Sequence, residues 1–343
     1  MTSLNVDSQR ALNIFRRRHS SARSPRNIMN SAIESLLEAI ETDPLPSAHT
    51  SSYWKQYGQT MVVERQDNQL RLQARNLECV SRISLPMRIL HRIERASYQS
   101  VTAKLRNYPD VWNAAKRLVR DLSASPNFNV LKSVCALAIL VDHWQAHGIS
   151  PKTFALIGDG YGFLGALVHR WDRRARLYCI DLPKTLIFQA RTHEIADSGV
   201  SMATMISGHS ISDATVTFVA PQCAEEIGDE IDCAISIASM QEMTASSIAA
   251  YFTFLRHRSR AQSRFYCVNR MKKELPGGEV TSFADYPWHE ADEVFIDGVC
   301  PHYTHFVAPY TSPNGPRVLG IRIPFFNYFD GIHLHRLARL APL

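Results

Sequence analysis

The chain has 343 residues, 45% of them hydrophobic and 20% charged, the composition of a folded protein of one or two domains. Its longest apolar run, Val134 to Val141 between Lys132 and Asp142, is shorter than the roughly 20 residues that cross a bilayer, which argues against a membrane partner. The net charge of +6 comes almost entirely from six arginines set against Asp7 in residues 1–26, so the folded part carries no basic signature of a nucleic-acid partner.

Residues 1–26, rich in Arg and Ser and lacking an apolar segment, read as a disordered basic leader and not as a secretory signal. Ser24-Pro25 opens a helical pattern carried by Ile28, Ile33, Leu36, Leu37 and Ile40, which Asp43-Pro44-Leu45-Pro46 stops. Two further helical runs follow: VWNAAKRLVRDL behind Asp110, and NVLKSVCALAILVDHWQAH up to Gly148 and Pro151. Residues 27–150 are therefore expected to be a helical N-terminal domain, a cap for dimerisation or a cover for substrate. Over 151–343 the texture changes, with TFALI, RLYCI, VTFVA, DCAISIA and RFYCV alternating with helices predicted at 162–171, 184–197 and 245–258. That alternation specifies an α/β fold with a doubly wound, mostly parallel sheet. HYTHFVAPY and PRVLGIRI, joined across Thr311 to Gly315, are expected to finish it with an antiparallel edge hairpin.

Seven cysteines (79, 135, 179, 223, 233, 267 and 300) form no C-x-x-C pair, and four lie in apolar runs. They point to reduced, buried thiols in a cytoplasmic protein, without a zinc site.

The turn IGDGYGFLG joins TFALI to the next helix and places glycine at 158, 160 and 162. Glycine lets backbone approach a ligand, and a helix that starts there offers free N–H groups and partial positive charge to a carboxylate or phosphate. Asp181, closing RLYCI about 20 residues later, stands where an acid accepts the hydroxyls of a ribose, with Leu182 beside it. Together they mark a nucleoside site. Gly160-x-Gly162-x-x-Gly165 also satisfies a dinucleotide spacing, so NAD(P) remains open beside S-adenosylmethionine; strand-to-helix turn glycines and a helix-capping Asp181 are the plainer alternative.

The blocks IGDGYGFLG, IDLPKTL, ISIASMQEM, FYCVNR, LPGGEVTSFADYPW and FDGIHLHRL, in that order over about residues 150 to 340, resemble the bacterial sugar O-methyltransferase family, a branch of the S-adenosylmethionine-dependent, Rossmann-like class I methyltransferases. The resemblance implies a methyl transfer to a hydroxyl of a saccharide, a nucleotide-sugar or a glycosylated natural product. It implies the cofactor's loop at Gly158, Gly160 and Gly162, its ribose acid at Asp181, and a Gln-Glu-Met block at Gln241, Glu242 and Met243. The chain departs from the pattern at Leu156, where the family carries an acid for the methionine amino group, and at Asp159, where it carries glycine. Asp159 is the residue expected to compensate. Loss of cofactor binding, leaving a non-catalytic and dimeric binding protein, is the consequence if it does not.

Ser239, Met240, Gln241 and Glu242 follow DCAISIA at the carboxyl edge of the sheet, where cofactor and acceptor meet. Glu242 is the first candidate for the base that takes the acceptor proton, and His302 and His305 are its rivals. A helix-start acid and structural histidines are the plainer alternatives. Gln241, Asp285, Trp288 and Arg270 are candidates for holding the acceptor, against a surface amide, a packed loop and a solvent-facing strand end. His333 and His335 alternate on one strand without an acid pair nearby, so a divalent cation stays undetermined.

Overall fold

The computed structural model describes residues 30–42, 50–66, 69–74, 89, 92, 95–96, 98–124, 126–206, 213–304, 307–308, 317–322, 327–328 and 331–343. The leader, the start of the first helical pattern and His305 lie outside them. Helix α1 (Ser31–Thr42) buries Ile33, Leu36, Leu37 and Ile40, an apolar stripe at helical spacing. Helix α2 (Ser52–Gly58) is capped by Ser51, whose hydroxyl accepts the Trp54 amide. An antiparallel hairpin, β1 (Val62–Gln66) with β2 (Gln69–Gln73), then interrupts the stretch expected to be helical. Its run QLRLQ alternates with period two, which is strand chemistry. Helices α3 (Tyr108–Asp121) and α4 (Phe128–Ala146) follow, α4 being buried nearly all round. None of the described helices is long and apolar enough to cross a membrane.

From Thr153 strands and helices alternate as β3 (Thr153–Ile157), α5 (Phe163–Trp171), β4 (Arg176–Ile180), α6 (Pro183–Ala196), β5 (Met202–Met205), β6 (Val216–Val219), β7 (Cys233–Ile237), α7 (Ala245–His257) and β8 (Arg264–Arg270). The predicted helices fall within a residue of these bounds, and β5 is additional. A small hairpin of β9 (Lys272–Glu274) and β10 (Val280–Ser282) precedes β11 (Glu293–Val299) and a one-turn helix α8 (Pro301–Thr304). Four two-residue strands come next: β12 (Val307–Ala308), β13 (Arg317–Val318), β14 (Ile321–Arg322) and β15 (Asn327–Tyr328). β16 (His333–Arg339) ends the fold.

The main sheet has the order β11-β16-β8-β7-β3-β4-β6-β5. Neighbours from β8 to β5 are all parallel, with β3 and β4 in register from Thr153↔Arg176 to Ile157↔Ile180, while β16 runs against both β8 and β11. Phe154 to Ile157, Leu177 to Ile180 and Val216 to Val219 are buried without alternation, because strands of a parallel sheet are covered on both faces. This is the doubly wound sheet with an antiparallel edge. The edge itself is built differently from the expected hairpin. HYTHF begins as α8, β12 pairs with β15, and PRVLGIRI reverses on itself, β13 against β14. Leu319 and Gly320 both have positive φ (51° and 79°), the signature of a two-residue hairpin turn, so what reads as one strand contains a reversal. Thr311 to Gly315 fall outside the described residues, and the antiparallel edge consists of β16 and β11.

A buried ion pair locks α7 to the C-terminal chain. Arg256 gives one guanidinium nitrogen to Asp292 (2.6 Å) and the Ala341 carbonyl (2.8 Å), and the other to Asp292 and the Pro287 carbonyl (both 2.9 Å). Both side chains are almost fully buried, so every lone pair and proton needs its partner. Asp292→Asn should cost about 3–5 kcal/mol in urea unfolding, since it strands the guanidinium; a change within 0.5 kcal/mol, the usual range for a surface position, would show that the pair is not a lock.

Candidate active site

The chain leaves β3 toward β4 and later returns to β7 on the other side of β3. At such a reversal the carboxyl ends of the strands leave a crevice, and ligands of open α/β sheets sit there. Three segments border it: the glycine turn after β3, Asp181-Leu182 after β4, and residues 238–243 after β7.

In the glycine turn Gly158, Gly160 and Gly162 all have left-handed backbone (φ 73°, 62° and 88°), which side chains disfavour. What approaches them is protein. A Cβ on Gly158 would fall on the Ser239 side chain, and one on Gly162 would lie 2.8 Å from the Gln189 Cα. The glycines let the β7 turn and α6 close onto this turn, a role distinct from the ligand contact expected of them. Asp159 points its carboxylate at the start of α5, accepting the amides of Leu164 (3.2 Å) and Gly165 (2.7 Å). The helix start expected to receive a ligand's anion is thus occupied by the chain's own carboxylate. Burial pushes the Asp159 carboxyl up to about 7.

Asp181 is buried and lines a cleft of about 610 Å³, open mouth included, whose walls include Leu182, Ser239, Met243, Tyr251 and Trp54 of α2. It accepts the Leu182 amide (2.8 Å) and the Gln189 side-chain amide (2.9 Å), and the Gly160 N–H also supports it. These are neutral donors. Burial, with the Asp159 charge in addition, raises its carboxyl to about 8.

At the β7 turn Ala238 has φ 58°, a left-handed conformation that a non-glycine side chain tolerates only when its surroundings impose it. Gln241 is buried; its amide N–H donates to the Asn269 side chain (3.0 Å), and its side-chain oxygen accepts the Arg270 N–H (2.7 Å), which ties the turn to the end of β8. Met240 is fully buried. Glu242 forms an ion pair with Lys273 at 2.8 Å, both side chains largely buried, and burial raises its carboxyl above the ordinary range. Helix α2 is fastened here. Ser51 donates to the Glu242 carbonyl, the Tyr53 hydroxyl is directed at the Glu242 carboxylate, and the Lys273 ammonium lies 4.3 Å from the centre of the Tyr53 ring. Neither the strained Ala238 nor the α2 segment carried a sequence signal; Lys273 is simply one of a Lys-Lys pair after Met271.

The remaining candidates lie elsewhere or among packed groups. His302 is fully buried, both ring nitrogens 3.4 Å from the Cys300 sulfur, and burial with the nearby His335 and His333 holds its imidazole neutral, down to about 3. His305 lies outside the described residues. Trp288 packs against Phe252 (ring centres 4.8 Å apart) and donates to the Phe283 carbonyl, while Asp285 is exposed beyond it. Arg270 ends β8, opposite His333 of β16, and its charge bears on Glu242, Tyr53 and His333. The His335 ring meets the Tyr266 hydroxyl at 3.1 Å, and no group of three metal-ligating side chains occurs among the described residues.

No protein-family model matches the chain, and no curated protein does. Solved structures do resemble it distantly. TehB from Haemophilus influenzae is 12% identical with a TM-score of 0.39, over 59% of this chain and 61% of that one. An S-adenosylmethionine-dependent methyltransferase from Clostridium acetobutylicum ATCC 824 is 9% identical with a TM-score of 0.37, over 59% and 89%. The N-methyltransferase NodS from Bradyrhizobium japonicum WM9 is 10% identical with a TM-score of 0.37, over 62% and 97%. Likeness at that distance assigns no activity, and the chemistry rests on this chain's own residues.

The raised acids set a pH dependence. An aspartate of the unfolded chain releases its proton near pH 4, whereas Asp181 in the fold holds it to about 8 and Asp159 to about 7. The folded state therefore binds more protons between those limits, and stability falls as pH rises from about 4 to 8. In Asp181→Asn the Gln189 amide can turn its oxygen, which has no partner among the described residues, toward the new NH₂. The ligand-free variant should melt at a higher temperature than the parent at pH 8 and close to it at pH 4; equal differences at both pH values would refute the assignment.

Proposed function

We propose that the chain is an S-adenosylmethionine-dependent O-methyltransferase that methylates a hydroxyl of a saccharide, a nucleotide-sugar or a glycosylated natural product. The carrying observation is Asp181: a buried acid held by neutral donors, at the end of β4, beside a glycine turn and facing an apolar-walled cleft. Such an acid suits the two hydroxyls of a ribose, whose donated hydrogen bonds would favour its ionised form over the proton it holds in the empty site, without bringing charge. The sheet order, with antiparallel β16 between β8 and β11, is the one the class I methyltransferase reading calls for. When bound, the cofactor supplies an electrophilic methyl group on a sulfonium.

The chain's residues supply placement. Leu182, Met243, Tyr251 and Trp54 enclose the nucleoside, and α2, strapped to the Glu242 turn, covers the cleft, a role for the N-terminal region as substrate cover. Methyl transfer to oxygen is in-line, so holding acceptor and sulfonium collinear accounts for much of the rate. Glu242 is the proton acceptor: its raised carboxyl is a stronger base than a free glutamate, and Lys273 keeps it ionised. His302, sealed against Cys300, is the poorer candidate. The saccharide rests on the sequence blocks that resemble sugar O-methyltransferases. The six described cysteines, all buried and none in a disulfide, favour a reducing, cytoplasmic setting.

The dinucleotide reading is disfavoured by Asp159. Its carboxylate takes the Leu164 and Gly165 amides, the position a pyrophosphate would need. S-adenosylhomocysteine at about 100 times its Kd should raise the melting temperature by about 4 °C, with no shift from NADH. The reverse pattern would identify an oxidoreductase, and no shift from either a non-catalytic protein. With an acceptor in hand, Glu242→Gln should lower kcat by about 10²–10⁴-fold and leave S-adenosylhomocysteine affinity intact; unchanged kcat would move the base elsewhere.

A further inference from the structure

In the methyltransferase reading, on which this inference rests, Asp181 receives the ribose hydroxyls of the cofactor. A hydroxyl is acceptor as well as donor: its proton can go to a carboxylate, but its lone pairs then need a donor of their own. An ionised carboxylate has none to give. A ribose seated on Asp181 alone would be read by its protons only.

Helix α7 supplies the missing donor. Ser247, Ala250, Tyr251 and Phe254 line the Asp181 cleft, and their spacing of three and four residues makes one face of the helix a wall of that cleft. Ser247 and Tyr251 are the polar members of this wall. The Ser247 hydroxyl is engaged with Thr244 at 2.8 Å. Tyr251 is only 5% exposed, its ring packed in the core, yet its hydroxyl has no hydrogen-bond partner among the described residues. A buried tyrosine hydroxyl ordinarily finds one, because water is lost on burial and nothing else repays it. Burial, with the Asp181 charge in addition, holds the phenol proton well above the ordinary tyrosine range, so the group stays a donor. Asp181 and Tyr251 thus border one space from two elements, an acceptor at the end of β4 and a donor on α7.

We infer that Tyr251 is a specificity-determining residue for the nucleoside, donating to the oxygen of a ribose hydroxyl whose own proton goes to Asp181. The pair reads one hydroxyl in both of its hydrogen-bonding senses, which selects a ribose over a deoxyribose.

The test measures adenosine, 2′-deoxyadenosine and 3′-deoxyadenosine on the parent and on Tyr251→Phe, by calorimetric displacement of S-adenosylhomocysteine. The parent should bind adenosine about 10- to 100-fold more tightly than at least one deoxy analogue, since that analogue leaves both protein groups unpaired. Tyr251→Phe keeps the ring. It should weaken adenosine about 10-fold and leave the affinity for that analogue unchanged, so that the preference shrinks and the analogue itself reports a folded variant. Unchanged adenosine affinity in Tyr251→Phe, an equal loss for all three nucleosides, or a parent that does not distinguish them would overturn the role, while S-adenosylhomocysteine binding by the parent would leave the methyltransferase reading standing. Failure of the parent to bind S-adenosylhomocysteine or adenosine would remove that reading and this inference with it.

Discussion

A carboxylate buried at the end of a strand is costly, and the site is organised around that cost at Asp181. Its three hydrogen bonds arrive from two segments: the Leu182 amide that begins α6 and the Gln189 side chain about two turns along it, and the Gly160 amide of the turn after β3. Those segments can converge only because Gly158 and Gly162 carry no side chain where Ser239 and Gln189 approach. The same close approach brings the glycine turn, α6 and the β7 turn together. Neutral donors satisfy the acid only in part, which leaves it suited to a diol.

The opposite side of the crevice has a different electrical character. Glu242 is opposed by Lys273, with Tyr53 directed at its carboxylate and Ser51 holding its carbonyl. A strained Ala238 aims this turn, and Gln241 ties it to β8 through the Asn269 side chain and the Arg270 amide. One side thus carries a buried acid held by neutral donors, and the other an ion-paired acid. Helix α2 spans both, with Trp54 on the cleft wall and Tyr53 on Glu242.

Much of this frame is legible in the sequence, because parallel strands covered on both faces are written as unbroken apolar runs. TFALI and RLYCI fall on strands residue for residue, and Asp181 stands at the strand end as its position implies. Features set by tertiary contact were hidden. MATM is only four residues long with a single β-branched side chain, EVFIDGV breaks its alternation at the Val294/Ile296 register shift, and the Leu319-Gly320 reversal sits inside a run with strand composition. The polar candidates were least legible. A Gln beside a Glu on a loop looks like a surface amide until Asn269 and Arg270 are seen to hold it, and Trp288 looks like a sugar platform until Phe252 and Phe265 close over it.

The central claim is that the Asp181 carboxylate and the glycine turn hold an adenosine. A crystal structure of the chain grown with S-adenosylhomocysteine tests it most directly. The account predicts both ribose hydroxyls within about 2.5–3.0 Å of the Asp181 carboxylate, with the base enclosed by Leu182 and Tyr251. A nucleoside bound elsewhere, with Asp181 still held only by the chain's own Leu182, Gln189 and Gly160, would contradict it.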